Sequence, residues 1–150
     1  MGNPNVLPSN RGVLAGVIDP DATAAGTVTT GWVSMATYQS IQAIALAGTL
    51  GASATFDAKL EQATDSSGTG AKDISGKAIT QLTQAGTDES DKQGIINCRG
   101  DELDIAGGFD HVRLSVTVAT ATSDACGLIL GYDAYYQPAT DAASVAEVVA

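Results

Sequence analysis

The chain has 150 residues, of which 44% are hydrophobic and only 16% charged, and its 17 acidic and 7 basic side chains leave a net charge of −10. That length suits one domain with its own core, and that apolar share excludes wholesale disorder. The cations Arg11, Lys59, Lys72, Lys77, Lys92, Arg99 and Arg113 are scattered, so no basic patch exists for phosphates or anionic lipid, and neither nucleic acid nor membrane is expected as a partner.

The start, Met1-Gly2-Asn3-Pro4, has no basic or apolar leader region, and no apolar run approaches the roughly 18 residues of a membrane span. A soluble chain made in a cytoplasm is expected. Residues 1–31 hold Pro4, Pro8 and Pro20 between the apolar clusters Val6-Leu7, Val13-Leu14 and Val17-Ile18. Prolines favour extended backbone. The segment is expected to be an extended N-terminal arm, with Val6, Leu7, Arg11, Val13, Leu14, Val17 and Ile18 as partner-binding residues. An edge strand folded back on its own sandwich fits equally well.

Residues 32–138 alternate as a sheet does. Phe56, Ala58 and Leu60 share one face, and Asp57, Lys59 and Glu61 the other; Val112, Leu114, Val116 and Val118 alternate with His111, Arg113, Ser115 and Thr117. Period two with β-branched content predicts strands. The run Ala125–Tyr132 predicts a more buried strand. Further strands are expected at Trp32–Met35, Ser40–Leu46 within Tyr38–Leu50, Ala78–Leu82 and Ile95–Arg99. Loops are expected at 65–70, 86–91 and 107–108 by composition. Short strands at this spacing predict an all-β fold, an antiparallel β-sandwich of jelly-roll type. Residues 139–150 are expected as a C-terminal tail, either a short helix or flexible.

Chemistry is sparse. A nucleophilic triad would have to use His111, the sole histidine, which the alternation places on the solvent face. Cys98 and Cys126 are too few for a disulfide scaffold and lack C-x-x-C spacing for zinc; buried free thiols are expected, with a bridge left open. Asp19-Pro20-Asp21 and Asp101–Asp104 lack the full calcium-loop pattern, and Gly68–Lys72 lacks the phosphate-loop spacing. No catalytic residue, cofactor or metal is expected. Trp32, Tyr135 and Tyr136 are candidate surface aromatics, and Tyr132 is expected to cap the core.

The run Phe56-Asp57-Ala58-Lys59-Leu60-Glu61-Gln62-Ala63-Thr64-Asp65-Ser66-Ser67-Gly68 resembles a strand and loop of small virion proteins of tailed bacteriophages. Ala78–Leu82 follows, then Phe109–Val118 is similar to a second strand of those proteins and Cys126–Tyr132 to their last. The resemblance spans about residues 32–138. It implies a non-enzymatic decoration, or cement, protein on the outer surface of the capsid. The implied partners are the major capsid protein and other copies of itself, as a homotrimer. Alternatives are a head–tail joining or tail-associated protein, or a carbohydrate-binding module stacking sugars on Trp32, Tyr135 or Tyr136.

Overall fold

The computed structural model describes residues 6–149; the opening Met1–Pro4 lies outside the described residues. The chain forms one helical turn, α1 (Pro8–Arg11), and ten strands: β1 (Gly12–Thr23), β2 (Gly26–Thr29), β3 (Val33–Ser34), β4 (Tyr38–Ala47), β5 (Thr55–Ala63), β6 (Lys72–Ala78), β7 (Leu82–Thr83), β8 (Gln93–Arg99), β9 (His111–Ala119) and β10 (Ser123–Ala134). All pairings are antiparallel.

One sheet has the order β1-β10-β4-β8. In the other, β9 and β5 are central, with β2 and β3 sharing the outer side of β9 and β6 and β7 the outer side of β5. Counted as eight strand positions, first pairs with last, second with seventh, third with sixth and fourth with fifth. That is a long hairpin rolled on itself, the jelly roll.

The core lies between the sheets. Phe56 and Leu60 of β5, Val112, Leu114 and Val116 of β9 and Ile129 of β10 have no exposure. Opposite them, β4 contributes Ile41 and the small Ala43, Ala45 and Ala47. Gly127 sits where an added Cβ would lie 2.7 Å from Leu114 Cδ2; a side chain there would push the sheets apart.

Several expectations change. Residues 12–29, expected in an arm, pair within the sandwich: β1 is hydrogen-bonded to β10 and β2 to β9. Val13 and Ile18 are buried in the core. The edge-strand alternative therefore describes this stretch, because its apolar positions alternate and Pro20 lies at a register break between Ile18 and Asp21. Ala78–Leu82 is not one strand: β6 ends at Ala78, and β7 begins at Leu82. The described residues of the tail, 139–149, are not helical. It runs along the β1 edge, where Leu14 N–H donates to Asp141 Oδ1 at 2.9 Å and Ala142 N–H donates to Leu14 O at 2.7 Å.

Candidate docking face

The outer faces of the two sheets differ in chemistry. On the β9–β5 sheet the outward side chains are charged or polar and satisfy one another. Arg113 Nε donates to Glu61 Oε2 at 2.7 Å, Lys59 Nζ to Asp73 Oδ1 at 2.6 Å and Gln81 Nε2 to Asp57 Oδ2 at 2.8 Å. Thr27 and Thr117 share a hydroxyl hydrogen bond at 2.8 Å. This is the alternation of a solvent-facing sheet.

The outer face of the β1-β10-β4-β8 sheet is different. The register sets Val17 beside Leu128, Leu128 beside Ile44 and Ile44 beside Ile95. These four aliphatic side chains form one row across all four strands. Their neighbours along the strands are buried inward: Ile18, Ile129, Ala43, Ala45 and Ile96. The row therefore points outward. On one side of it Leu14 stands beside Leu130, followed by Gln42 and Asn97, whose amides are hydrogen-bonded at 3.3 Å. On the other side Cys126 stands beside Leu46. Among the described residues, the outward positions of these three rows on β10, β4 and β8 carry no charge; the β1 end of the third row is the Asp19–Pro20 bulge with its carboxylate, and Arg99 and Asp124 stand beyond the rows at opposite ends.

Relief on this face is uneven. Ile95 projects from β8 with 58% of its surface exposed. Across the sheet, Pro20, Leu46, Gln93 and Cys126 line a shallow hollow of about 580 Å³ together with the carboxylates Asp21, Asp91 and Asp124. It lies beside the register shift of β1 at Asp19–Pro20.

The two cysteines lie on opposite sides of this sheet and are free. Cys98 points into the core, and burial pushes its thiol up to about 11. Cys126 points outward and is only partly exposed; desolvation raises its thiol as well. The expectation of two buried thiols holds for Cys98 alone. Tyr132 is also outward on β10, its ring over Gly12, so it does not cap the core.

The other candidate residues are dispersed. Val6 is partly exposed, and Leu7 and Arg11 are exposed ahead of β1. Leu14 and Val17 belong to the outer face, whereas Val13 and Ile18 are interior. Trp32 is not an open stacking platform. The Arg113 guanidinium lies 4.5 Å from its ring centroid, and Gly68 packs against its indole edge. Tyr135 lines a cleft of about 620 Å³ with Met35, Arg99, Asp101 and Ile105. Tyr136 is 87% exposed. His111 Nδ1 lies 2.6 Å from Asp110 Oδ1 at the start of β9. Among the described residues, no group of three or more His, Cys, Asp and Glu is placed to hold a metal, and no helix is long and apolar enough to cross a membrane.

The aliphatic row was not extracted from the sequence. Its signal was the unbroken apolar run at 125–132, because a strand apolar at successive positions needs cover on both faces.

No family model and no curated protein matches the chain. It is similar to a chain in a structure of infectious bursal disease virus, Gt strain, at 10% identity and TM-score 0.44, covering 94% of this chain and 38% of that one. A structure of the Gx strain of the same virus shows 10% identity and TM-score 0.35, covering 86% and 32% respectively. The chain thus spans less than two fifths of those chains.

Proposed function

We propose that the protein is a non-enzymatic virion structural subunit, a decoration or cement protein on the outer surface of a tailed-phage capsid. The observation that carries this reading is the contrast between the two outer faces. One is charged and internally paired, suited to water; the other is aliphatic across four strands, suited to protein. A subunit of this kind is made to be covered on one side. The strand-and-loop resemblance at 56–68 and 109–118 supports a phage origin. The net charge of −10 favours the outside of a shell over contact with packaged DNA. Jelly rolls occur in viral capsid and lectin domains alike, so the fold by itself does not choose between them.

In this reading the residues ahead of β1, with Val6, Leu7 and Arg11, reach the major capsid protein. Deleting residues 1–31 would remove β1 and β2 from the sandwich and could not test that. Deletion of residues 1–11 spares every strand. Co-sedimentation of the protein with mature empty capsids should saturate at a fixed stoichiometry, and the shorter deletion should abolish it. A full-length protein that ignores mature capsids overturns the decoration reading; sixfold or twelvefold rings would move it to the head–tail junction.

A further inference from the structure

A sheet covered by core on one side and water on the other has polar outward positions. The β9–β5 sheet obeys this, and the β1-β10-β4-β8 sheet does not. Its two central strands, β10 and β4, carry Cys126, Leu128, Leu130, Ile44 and Leu46 outward over an apolar inward face, with Ser40 and Gln42 the polar positions of β4. A second protein layer about 10 Å away would complete that pattern.

We propose that the second layer is another copy of this chain. Two subunits pack face to face about a two-fold axis lying in the interface, and Ile95 of each enters the hollow beside Cys126 of the other. A projecting residue and a hollow on one face can always be exchanged by a two-fold axis midway between them, so the contact is self-complementary and closed. The size is sufficient. Four strands about 4.8 Å apart, running about 3.3 Å per residue from Asp124 to Tyr132, present roughly 500 Å² per copy. Pairing then removes about 1,000 Å², the lower bound of a specific interface. The Val17–Leu128–Ile44–Ile95 row at the centre of the contact carries no charge, whereas Asp21, Asp91 and Asp124 line the hollow that Ile95 enters, so the pairing rests on apolar burial and works against the acidity of the two chains.

This symmetry is two-fold, unlike the trimer implied by the phage resemblance. The pairing needs no capsid, so it is tested on the purified chain. Light scattering should give twice 15.1 kDa, and Ile95→Lys or Ile44→Lys should return the mass to 15.1 kDa with an unchanged circular dichroism spectrum. In the Ile95→Cys variant, oxidation should join the new thiol to Cys126 of the partner subunit. Within one chain those positions are about 12 Å apart, beyond the roughly 7 Å that a disulfide allows. Should the lysine variants misfold, the wild-type protein still decides, because Cys126 should react with a thiol reagent more slowly as protein concentration rises. A monomer at every concentration overturns the proposal, as does a trimer, or a dimer indifferent to both lysine variants. If the chain is monomeric and Ile95→Lys instead abolishes capsid binding, the face belongs to the shell; the pairing is then wrong and the virion reading survives.

Discussion

Thr30 tests whether the chain ahead of residue 32 is part of the sandwich. Between β2 and β3 the outer side of β9 lacks a strand partner at Leu114. Thr30 fills the gap with both of its polar groups: its N–H donates to Leu114 O at 3.0 Å, and Leu114 N–H donates to Thr30 Oγ1 at 3.0 Å. The residue is only 3% exposed. Thr30→Val keeps the shape but leaves a buried N–H on a central strand without an acceptor, a loss of about 1–3 kcal/mol. For a domain of this size that lowers Tm by about 3–10 °C. Thr30→Ser keeps the oxygen and should cost about 1 kcal/mol or less, from the missing methyl. Thermal unfolding followed by far-UV circular dichroism measures both, and hydrogen exchange at the Leu114 amide reports the bond itself. A Thr30→Val protein that melts with the wild type, its Leu114 amide still protected, would refute the pairing and return this stretch to a free arm.

Cys98 makes stability fall in alkali. Its folded thiol stands at about 11, above the ordinary 9.0, so the contribution is complete below pH 9 and is lost as pH rises towards 11. The shift corresponds to about 2–3 kcal/mol, and denaturant titrations at pH 8 and pH 11 should differ by at least that order, with Cys98→Ala reducing the difference and leaving the part that Tyr38 and Lys59, also raised, contribute. At the acid end, Glu102 is held below its usual range by the Arg99 backbone N–H and then by Lys77, and its stabilising contribution should disappear as pH falls through the carboxylate range; Glu102→Gln should flatten that limb of a pH–stability curve. Arg113→Ala uncovers the single tryptophan, and Trp32 emission should move to longer wavelength with little loss of secondary structure. If the proposed pairing occurs, salt should strengthen it, because it screens the repulsion between two chains of −10 each; weakening by salt in sedimentation would indicate a charge-driven contact instead.

The strands legible in the sequence are those with water on one side and core on the other. In β5 and β9 each outward Asp, Lys, Glu or Arg marks the inward Phe, Leu or Val beside it, and both were read in the correct phase. Where the marker is missing, reading falters. In β1 the glycines, Pro20 and the bulges break the alternation, so an integral strand resembles an arm. In β10 both faces are apolar, so the run announces a strand but not which side holds Tyr132 or Cys126. Between β6 and β7, Ile79 keeps its N–H on Ala58 O of β5 at 3.0 Å while its side chain packs against Gly94 of β8, a tertiary contact that no local pattern encodes. The row Val17–Leu128–Ile44–Ile95 draws one residue from each of four strands distant in sequence. Only the pairing register assembles it, and without that register each member looks like an ordinary strand residue.

The same sheet also limits how subunits can add to one another. Its two edges are strands with unpaired backbone groups, the usual starting point for uncontrolled growth. On β1, Asp141 and Ala142 occupy the backbone of Leu14, and farther along, the edge carries Asp19, Pro20 and Asp21, two charges and a residue with no N–H. On β8, Lys77 Nζ donates to Asn97 O at 2.8 Å, and Ile79 lies over Gly94. Both edges are thus partly occupied or made inhospitable, while the face between them is left aliphatic. Edge addition would be open-ended and would lead to filaments; a face that pairs about a two-fold axis is consumed by one partner and stops. That difference matters most at high protein concentration, where the charge of −10 keeps chains apart. The edges and the outer face therefore act together: strand addition at either edge is discouraged, and the aliphatic face is left open to the proposed pairing.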